Sequence, residues 1–477
     1  MARIVDKIKA TGFLCKIAWF SCGLACFLAA VPPGKAAPWY VATNGADSGH
    51  DGQSWAQAFL TISNAVTNAS SVVVDTIWVS NGVYTLNAKI TVTKPVTIRG
   101  VNGWTNTVVN GNGSVPCFQI NHTSAVLRAL TVSNGFSKTE NGAGVQLAKG
   151  TVDDCLIIGN TVVSNKIGGG VFMSGNLTVV TNCRIYMNSA ARGGGVAVDD
   201  NWTKTISAFI DNCDISSNRA EIPVTGTTSE PDGGGIHAYT CKQITVRNCR
   251  IAYNSSDGAD RGDKSARGGG VGIYNYHVAT LFENCEVIGN VVSNTRNVCG
   301  GGGFNLTGSS NTIRNCVISG NRCLLAAAWG GGILFGNADL TNLVESCTVV
   351  GNYTTLYGNG IYMYGKGADE VWNSVVYSNG SGANWYFGNA ARTNNVHFTC
   401  TLDRMGPDSN TTNNPKFINY AAGDYRLQSG SPCVNTGTNR PWMQGVPDRD
   451  GRIRVRYGTV DMGAYEFVYD GTLYMFH

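Results

Sequence analysis

The 477-residue sequence has little charge and little proline: 14% of its residues are charged and 12 are proline. That composition excludes the highly charged, weakly hydrophobic chain that stays disordered, and it excludes proline-rich linkers. Charge of one sign is missing as well. The chain carries 35 Lys and Arg against 31 Asp and Glu, but Arg3, Lys7, Lys9, Lys16 and Lys35 oppose only Asp6 in the first 36 residues, which leaves 30 of each sign in the remainder. Nucleic-acid binding draws most of its affinity from a basic surplus, so no nucleic-acid partner is expected. No CxxC or His-Cys spacing suggests zinc. Inside the repeats no run of about 10 to 12 residues has helical periodicity, which excludes helical-repeat and leucine-rich architectures. Long apolar runs are lacking too. Ile17 to Val31 is broken by Ser21, Gly23 and two cysteines and stops at Pro32, Pro33 and Gly34, short of the ~20 residues a membrane span requires. Behind four basic residues, that stretch reads as a secretory leader, residues 1–36, cleaved after Ala36 or Ala37. The expected product has no transmembrane span and is secreted or held at the cell surface.

What the sequence has in abundance is glycine, 61 residues, and internal repetition. One octapeptide recurs as DDCLIIGN at Asp153 to Asn160, TNCRIYMN at Thr181, DNCDISSN at Asp211, RNCRIAYN at Arg247, ENCEVIGN at Glu283, RNCVISGN at Arg314 and ESCTVVGN at Glu345. Degenerate copies flank the run, Leu127 to Asn134 with Ala129 in the cysteine position and Trp372 to Asn379 with Ser374 there. Successive cysteines, from Cys155 to Cys347, are 28, 30, 36, 36, 31 and 31 residues apart. Fixed strands joined by loops of variable length produce such spacing. A second motif, three glycines and an apolar residue, alternates with the first at Gly168, Gly193, Gly233, Gly268, Gly301 and Gly330, with end variants at Gly142 and Gly358. Each unit therefore holds two short strand patterns of period two. Propeller blades need about four strands per 40 to 50 residues, more than these units accommodate.

In parallel coils each strand pairs with its own copy one turn away, ~4.8 Å distant, so equivalent residues stack into columns. The seven repeat cysteines and the aliphatic residue two positions on form one expected inward wall, and the residue after each glycine triplet forms another. Asn160, Asn188, Asn218, Asn254, Asn290, Asn321, Asn352 and Asn379 are expected at the following corner, tolerating a left-handed backbone and bonding to the copies above and below. These columns are read as structural, because chemistry would need one distinctive rung. Thirteen cysteines lie outside the leader. The number is odd, so at least one thiol is free. The stacked cysteines are read as small buried hydrophobes, whereas Cys241, Cys299 and Cys323 fall off the column and could pair.

The alternating GGG[VI] and Cx[IV]xxN motifs resemble the right-handed parallel β-helix, or pectin-lyase-like, superfamily, and are similar to the repeats of polymorphic outer-membrane proteins. The resemblance spans Trp39 to Phe467. Trp39 to Asp51, the apolar-spaced Ser54 to Ser71 and Ile77 to Tyr84 look like the opening of bacterial β-helix proteins, whose helix plugs the end of the coil. Asp424 to Asn435, Asp448 to Arg452 and Val460 to Phe467 resemble the ending called choice-of-anchor Q, which implies a surface or secreted setting. The fold class expected is all-β, a right-handed parallel β-helix solenoid with an N-terminal capping helix. Its parts are the leader (1–36), the cap and first coils (37–110), the repeats (111–400) and a closing segment (401–477).

Chemistry is less legible. The signatures of polygalacturonase-like relatives are missing from catalytic context. Asp199, Asp200 and His237 are the candidate catalytic residues, because Asp199 and Asp200 depart from the pattern of their rung. The loop at 257–263 offers Asp257, Asp260 and Asp263 as candidate metal ligands. No cofactor is expected, with calcium the one ion that loop could hold. Alternation turns Asp199, Tyr239 and Tyr274 outward in one row with His237 beside them, the candidate ligand-binding face, with the long connections Glu221 to Asp232 and Ser255 to Arg267 as its wall. Two functions compete: a surface or secreted protein, expected to be monomeric, that binds an extracellular polysaccharide or other surface ligand, and a polysaccharide lyase or glycoside hydrolase. The sequence favours the first.

Overall fold

The structure, a computed structural model, describes residues 36–469 apart from 201–204, 222–229, 259–264, 294–298, 325–326, 337–339, 365–367, 389–394, 404 and 407–408. The leader through residue 35, Asp260 and Asp263 lie outside the described residues. Apart from the antiparallel pair Phe417–Asn419 and Asp424–Leu427, strands stack in parallel, each paired with its counterpart one coil away, as with Ile236↔Val271, Ile251↔Val287 and Ser255↔Val291. The body is a parallel β-helix. The motifs mark only half of each coil's strands. In the coil opening at Ile236–Tyr239, the strand Gln243–Arg247 precedes Cys249, and Ser255–Asp257 follows Asn254. Three of the four ends of the two expected wall connections are strands, because Arg219–Glu221, Ser255–Asp257 and Ala266–Arg267 all pair with neighbouring coils, and the fourth end, Asp232, bridges Arg192 and Arg267.

Alternation produces the core. Val171, Val196, Ile236, Val271, Phe304 and Ile333 are fully buried, as are Ile157, Ile185, Ile215, Ile251, Val287, Ile318 and Val349. Burying each such side chain contributes about 1.5 to 3 kcal/mol, summed along one continuous core. The first flanking repeat is shifted by one residue from its expected alignment. Asp153 pairs with Arg128 and Ile157 with Val132, so Leu130 takes the cysteine place and Ala129 the preceding corner, where its φ is 56°.

The corners also differ from expectation. The left-handed residue precedes the column asparagine, as at Gly159, Met187, Ser217, Tyr253, Gly289 and Gly320, and another precedes each cysteine. The asparagine itself stays inside, where its amide is engaged on both sides. Each Nδ2 from Asn160 to Asn379 donates to the next Oδ1 at 2.9–3.0 Å, the column ending on Asn384. The same amides explain the glycine triplets. Gly268 needs its φ of 54°, a Cβ on Gly269 would lie 2.6 Å from the Gly302 carbonyl oxygen, and one on Gly270 would crowd the Asn290 amide at 3.0 Å. The two motifs are partners in one corner.

The plug is shorter than its sequence pattern. Only Ile62–Asn68 is α-helical, capped by the Thr61 hydroxyl accepting from Asn64 N–H, and it buries Ile62, Ala65 and Val66 against the first strands. Among the described residues no helix is long and apolar enough to cross a membrane. The closing segment folds back along the coils. Arg449 meets Glu286 at 2.9 Å, Asn315 Nδ2 donates to the Pro447 carbonyl at 3.1 Å, and Thr438 N donates to Asn373 Oδ1 at 2.7 Å.

Cys299 and Cys323 form a disulfide, while Cys241 stays reduced and buried with the column cysteines. In the column Cys213 N donates to Cys249 Sγ at 3.4 Å, the thiol copying the asparagine arrangement. Burial pushes the Cys155, Cys249 and Cys316 thiols well above their ordinary range, which suppresses the reactive thiolate. An aromatic disulfide reagent should therefore titrate almost none of the eleven described free thiols within minutes in the native protein, and all of them in guanidinium. Rapid native labelling of several of Cys183, Cys213, Cys249 and Cys285 would overturn the inward assignment.

Candidate functional site

The strand after each glycine triplet presents two outward columns. The second residue past the triplet runs Ala197, His237, Gly272, Asn305, Leu334, Tyr362 and Tyr386. The fourth runs Asp199, Tyr239, Tyr274 and Thr307, and the same register continues to Gly336 and Tyr364. A third column, the residue before the triplet, passes through Asp232, Arg267, Gly300, Trp329 and Tyr357.

At the N-terminal end of this face the expected row forms, with differences. Tyr239 and Tyr274 stack at 6.3 Å with planes 3° apart, and Tyr274 is 42% exposed. Asp199 is half-buried, and Thr240 Oγ1 donates to its Oδ1 at 2.5 Å. Asp200 is buried, its Oδ2 accepting from Thr205 N at 2.7 Å and Ile206 N at 3.3 Å. His237 corrects the expected exposure of that row. It shares the face with Tyr239, their ring centroids 6.3 Å apart, yet it is 1% exposed, with Nδ1 3.4 Å from the buried Asp232 Oδ2. Asp257 faces Arg219 at 2.9 Å across the coils. Among the described residues no group of three or more His, Cys, Asp or Glu is placed to hold a metal.

Two coils further on, the same columns open into a cavity of about 650 Å³ lined by Tyr274, Arg267, Asn305, Thr307, Trp329, Tyr357, Tyr362, Tyr364 and Tyr386, with Gly300 and Gly336 among the lining. Its shape follows from an interruption in the aromatic columns. Tyr362 and Tyr386 lie 4.6 Å apart with planes 6° apart. That distance matches the coil spacing, so the rings stack along the solenoid axis. Trp329 joins Tyr362 at 5.7 Å and Tyr364 joins it at 6.2 Å. Between this stack and the Tyr239–Tyr274 pair, the fourth-residue column holds only Thr307 and Gly336. The gap spans three coil steps, about 14 Å at ~4.8 Å each, with two aromatic rungs missing.

The walls are well held. Trp329 and Arg267 stand in a three-stranded sheet of Ala266–Arg267, Cys299–Gly300 and Ala328–Trp329, and the Cys299–Cys323 disulfide ties its middle strand to Arg322–Cys323 of the adjoining sheet. Arg267 lies over the Tyr274 ring at 4.9 Å and meets Glu230 at 2.7 Å. On the floor Thr307 Oγ1 donates to Asn305 Oδ1 at 2.9 Å. Burial, with Tyr386, Tyr364 and Tyr357 close by, pushes the Tyr362 phenol up to about 12, so it remains a neutral donor at physiological pH.

Of the sequence candidates among the described residues only Tyr274 lines this cavity. Trp329, Tyr357, Tyr362, Tyr364 and Tyr386 were missed, although the alternation that marked Tyr239 and Tyr274 also marks Tyr362 and Tyr364 in IYMY after Gly358. The widest repeat spacings drew attention to the adjoining coils, whose connection Ser255 to Arg267 supplies Ser265 and Arg267 at the edge of this cavity.

The family model described as "right handed beta helix region" matches residues 81–291 and 234–424. No curated protein matches the sequence. Among solved structures, the pectate lyase Pel9A is 15% identical with a TM-score of 0.44, over 91% of this chain and 97% of that one. A rhamnogalacturonan lyase is 13% identical at 0.39, over 86% and 98%, and XylC in complex with xylose is 10% identical at 0.42, over 80% and 87%.

Proposed function

The chain belongs to the right-handed β-helix family, and on that scaffold we propose that it is an exported protein that binds carbohydrate in the aromatic notch between Tyr274 and Tyr364. The observation that carries the proposal is the interrupted aromatic stack. A pyranose ring has an apolar face and a hydroxyl rim, and a slot ended by aromatic rings and edged by phenols, an amide and a hydroxyl complements both. The described lining consists of such binding groups, with Arg267 as its one ionic side chain, already engaged by Glu230. The leader read at residues 1–36 supports placing this activity outside the cell.

Tyr274 and Tyr364 are 42% and 52% exposed, so truncating them removes little core. The double variant Tyr274→Ala, Tyr364→Ala should weaken binding to whichever soluble polysaccharide the wild type retains in affinity electrophoresis by about 30-fold, roughly 1 kcal/mol per ring. Its melting temperature should stay within a few degrees. Unchanged retention of every polysaccharide would remove the notch from consideration. The catalytic alternative has a separate readout in the same incubations. Release of reducing or unsaturated ends that disappears in Asp199→Ala would replace binding with hydrolysis or elimination.

A further inference from the structure

Resting on that reading of the notch, we infer that it selects uncharged sugars and that Glu230, outside the notch, sets this selectivity through Arg267. Two carboxylate observations converge at the Tyr274 end. Glu230 Oε2 lies 2.7 Å from Arg267 Nη1, neutralising the one cation among the described lining residues. Asp232, the column neighbour of Arg267, is buried behind the lining against Gly272, where a Cβ would come within 1.7 Å of its Oδ1. Gly272 thus makes room for a second carboxylate beside the notch. The remaining polar groups are hydroxyls and an amide, already oriented on one another at Thr307 and Asn305.

A uronate entering here would be desolvated beside a guanidinium already paired with Glu230, with a second carboxylate, Asp232, behind it against His237. An unpaired buried carboxylate is costly, whereas a hydroxymethyl group at the same place exchanges one set of neutral hydrogen bonds for another. Like charge at a binding surface acts chiefly as discrimination against the wrong ligand. Glu230 is therefore a positioning residue: it touches Arg267, and its charge decides whether that guanidinium is free to meet an anion.

The test uses two probes that share one backbone: polygalacturonate, and the same polymer with its carboxylates reduced to primary alcohols. The full exported chain should bind the reduced polymer at least about tenfold more tightly, with little dependence on salt. Glu230→Gln keeps the shape and one acceptor but removes the charge. It should raise affinity for the acidic polymer by about five- to tenfold at low salt and leave the neutral polymer within about twofold, a shift that loss of folding cannot produce. Equal or tighter wild-type binding of the acidic polymer overturns the inference, as does a Glu230→Gln variant whose acidic-polymer affinity is unchanged. If neither polymer nor any neutral glycan binds, it is the carbohydrate reading itself that fails.

Discussion

Replacing Asn254 with alanine should destabilise the protein by about 4 to 6 kcal/mol and divide the solenoid at that coil. Asn254 is fully buried. Its Nδ2 donates to Asn290 Oδ1 at 3.0 Å and to the Ile215 carbonyl at 2.8 Å, and its Oδ1 accepts from Asn218 N at 2.9 Å and Asn218 Nδ2 at 3.0 Å. Truncation leaves the Asn218 backbone N–H, one Asn218 amide hydrogen and the Ile215 carbonyl without those partners. Each orphaned buried group costs about 1 to 3 kcal/mol, before the cavity is counted. Because each coil contacts only its neighbours, the loss falls on one interface and should appear as a second unfolding transition. Asn248 is the control. It stands in the same coil at a left-handed corner with φ of 53°, but it is exposed. Asn248→Ala should cost only about 1 to 2 kcal/mol, the loss of asparagine's tolerance of that conformation and of its solvent-exposed hydrogen bonds to Asp211 and Asn284. Urea denaturation of both variants decides the matter, and equal losses would sink the claim that the buried column holds the stack.

Arg454→Met should release the closing segment, with a loss of about 3 to 5 kcal/mol, because removing one partner of a buried pair strands the other charge. Arg454 is fully buried. Its Nη1 meets Glu466 Oε1 at 2.8 Å, and its Nη2 donates to the Ser346 carbonyl at 3.3 Å and the Gly463 carbonyl at 2.5 Å, so one guanidinium joins the closing segment to a coil. Asp448, Asp461 and Glu466 are buried around it. Burial raises all three carboxyls, Glu466 up to about 8, with the Arg454 charge opposing the rise. For an acid raised in the folded state, the folded protein binds more protons between the unfolded value and the folded one. Its stability therefore falls as pH climbs from the ordinary carboxyl range, about 4.5, through about 8. Without Arg454 that slope should steepen, so the variant should lie nearest wild type at pH 5 and furthest from it at pH 8. Limited proteolysis should then cut between 409 and 469 while the coils, with their own asparagine column, stay intact. Equal proteolysis at the two pH values would show that the three carboxyls do not control docking.

How much of this was legible in the sequence depended on whether an interaction repeats. Cys155 to Cys347, Ile157 to Val349 and the glycine triplets recur at equivalent places, so translation by one coil is enough to assign them inward. The same repetition hid the details of the corners. A left-handed φ falls on Gly159 in one coil, Met187 in another and Tyr253 in a third, residue types with nothing in common, so only the backbone path identifies that position. Ala129 was misaligned for a similar reason: Leu130 fills the same inward place as a cysteine, and nothing in the residue types distinguishes a shift of one.

By itself the sequence determined the β-helix, its buried columns and the outward row containing Asp199, Tyr239 and Tyr274, because period-two alternation and coil-to-coil stacking are local rules. Only the tertiary structure decided where that row becomes a site. The notch exists because Thr307 and Gly336 are small where Tyr274 and Tyr364 are large, and because Trp329 and Tyr357 arrive from a different column. Likewise His237 obeys the alternation but is covered, and Arg267 acquires its neutralising partner from Glu230 one coil away. Cavities, burial of outward residues and pairing of charges depend on which side chains from distant coils come to lie side by side. Alternation along a single strand carries no information about those neighbours.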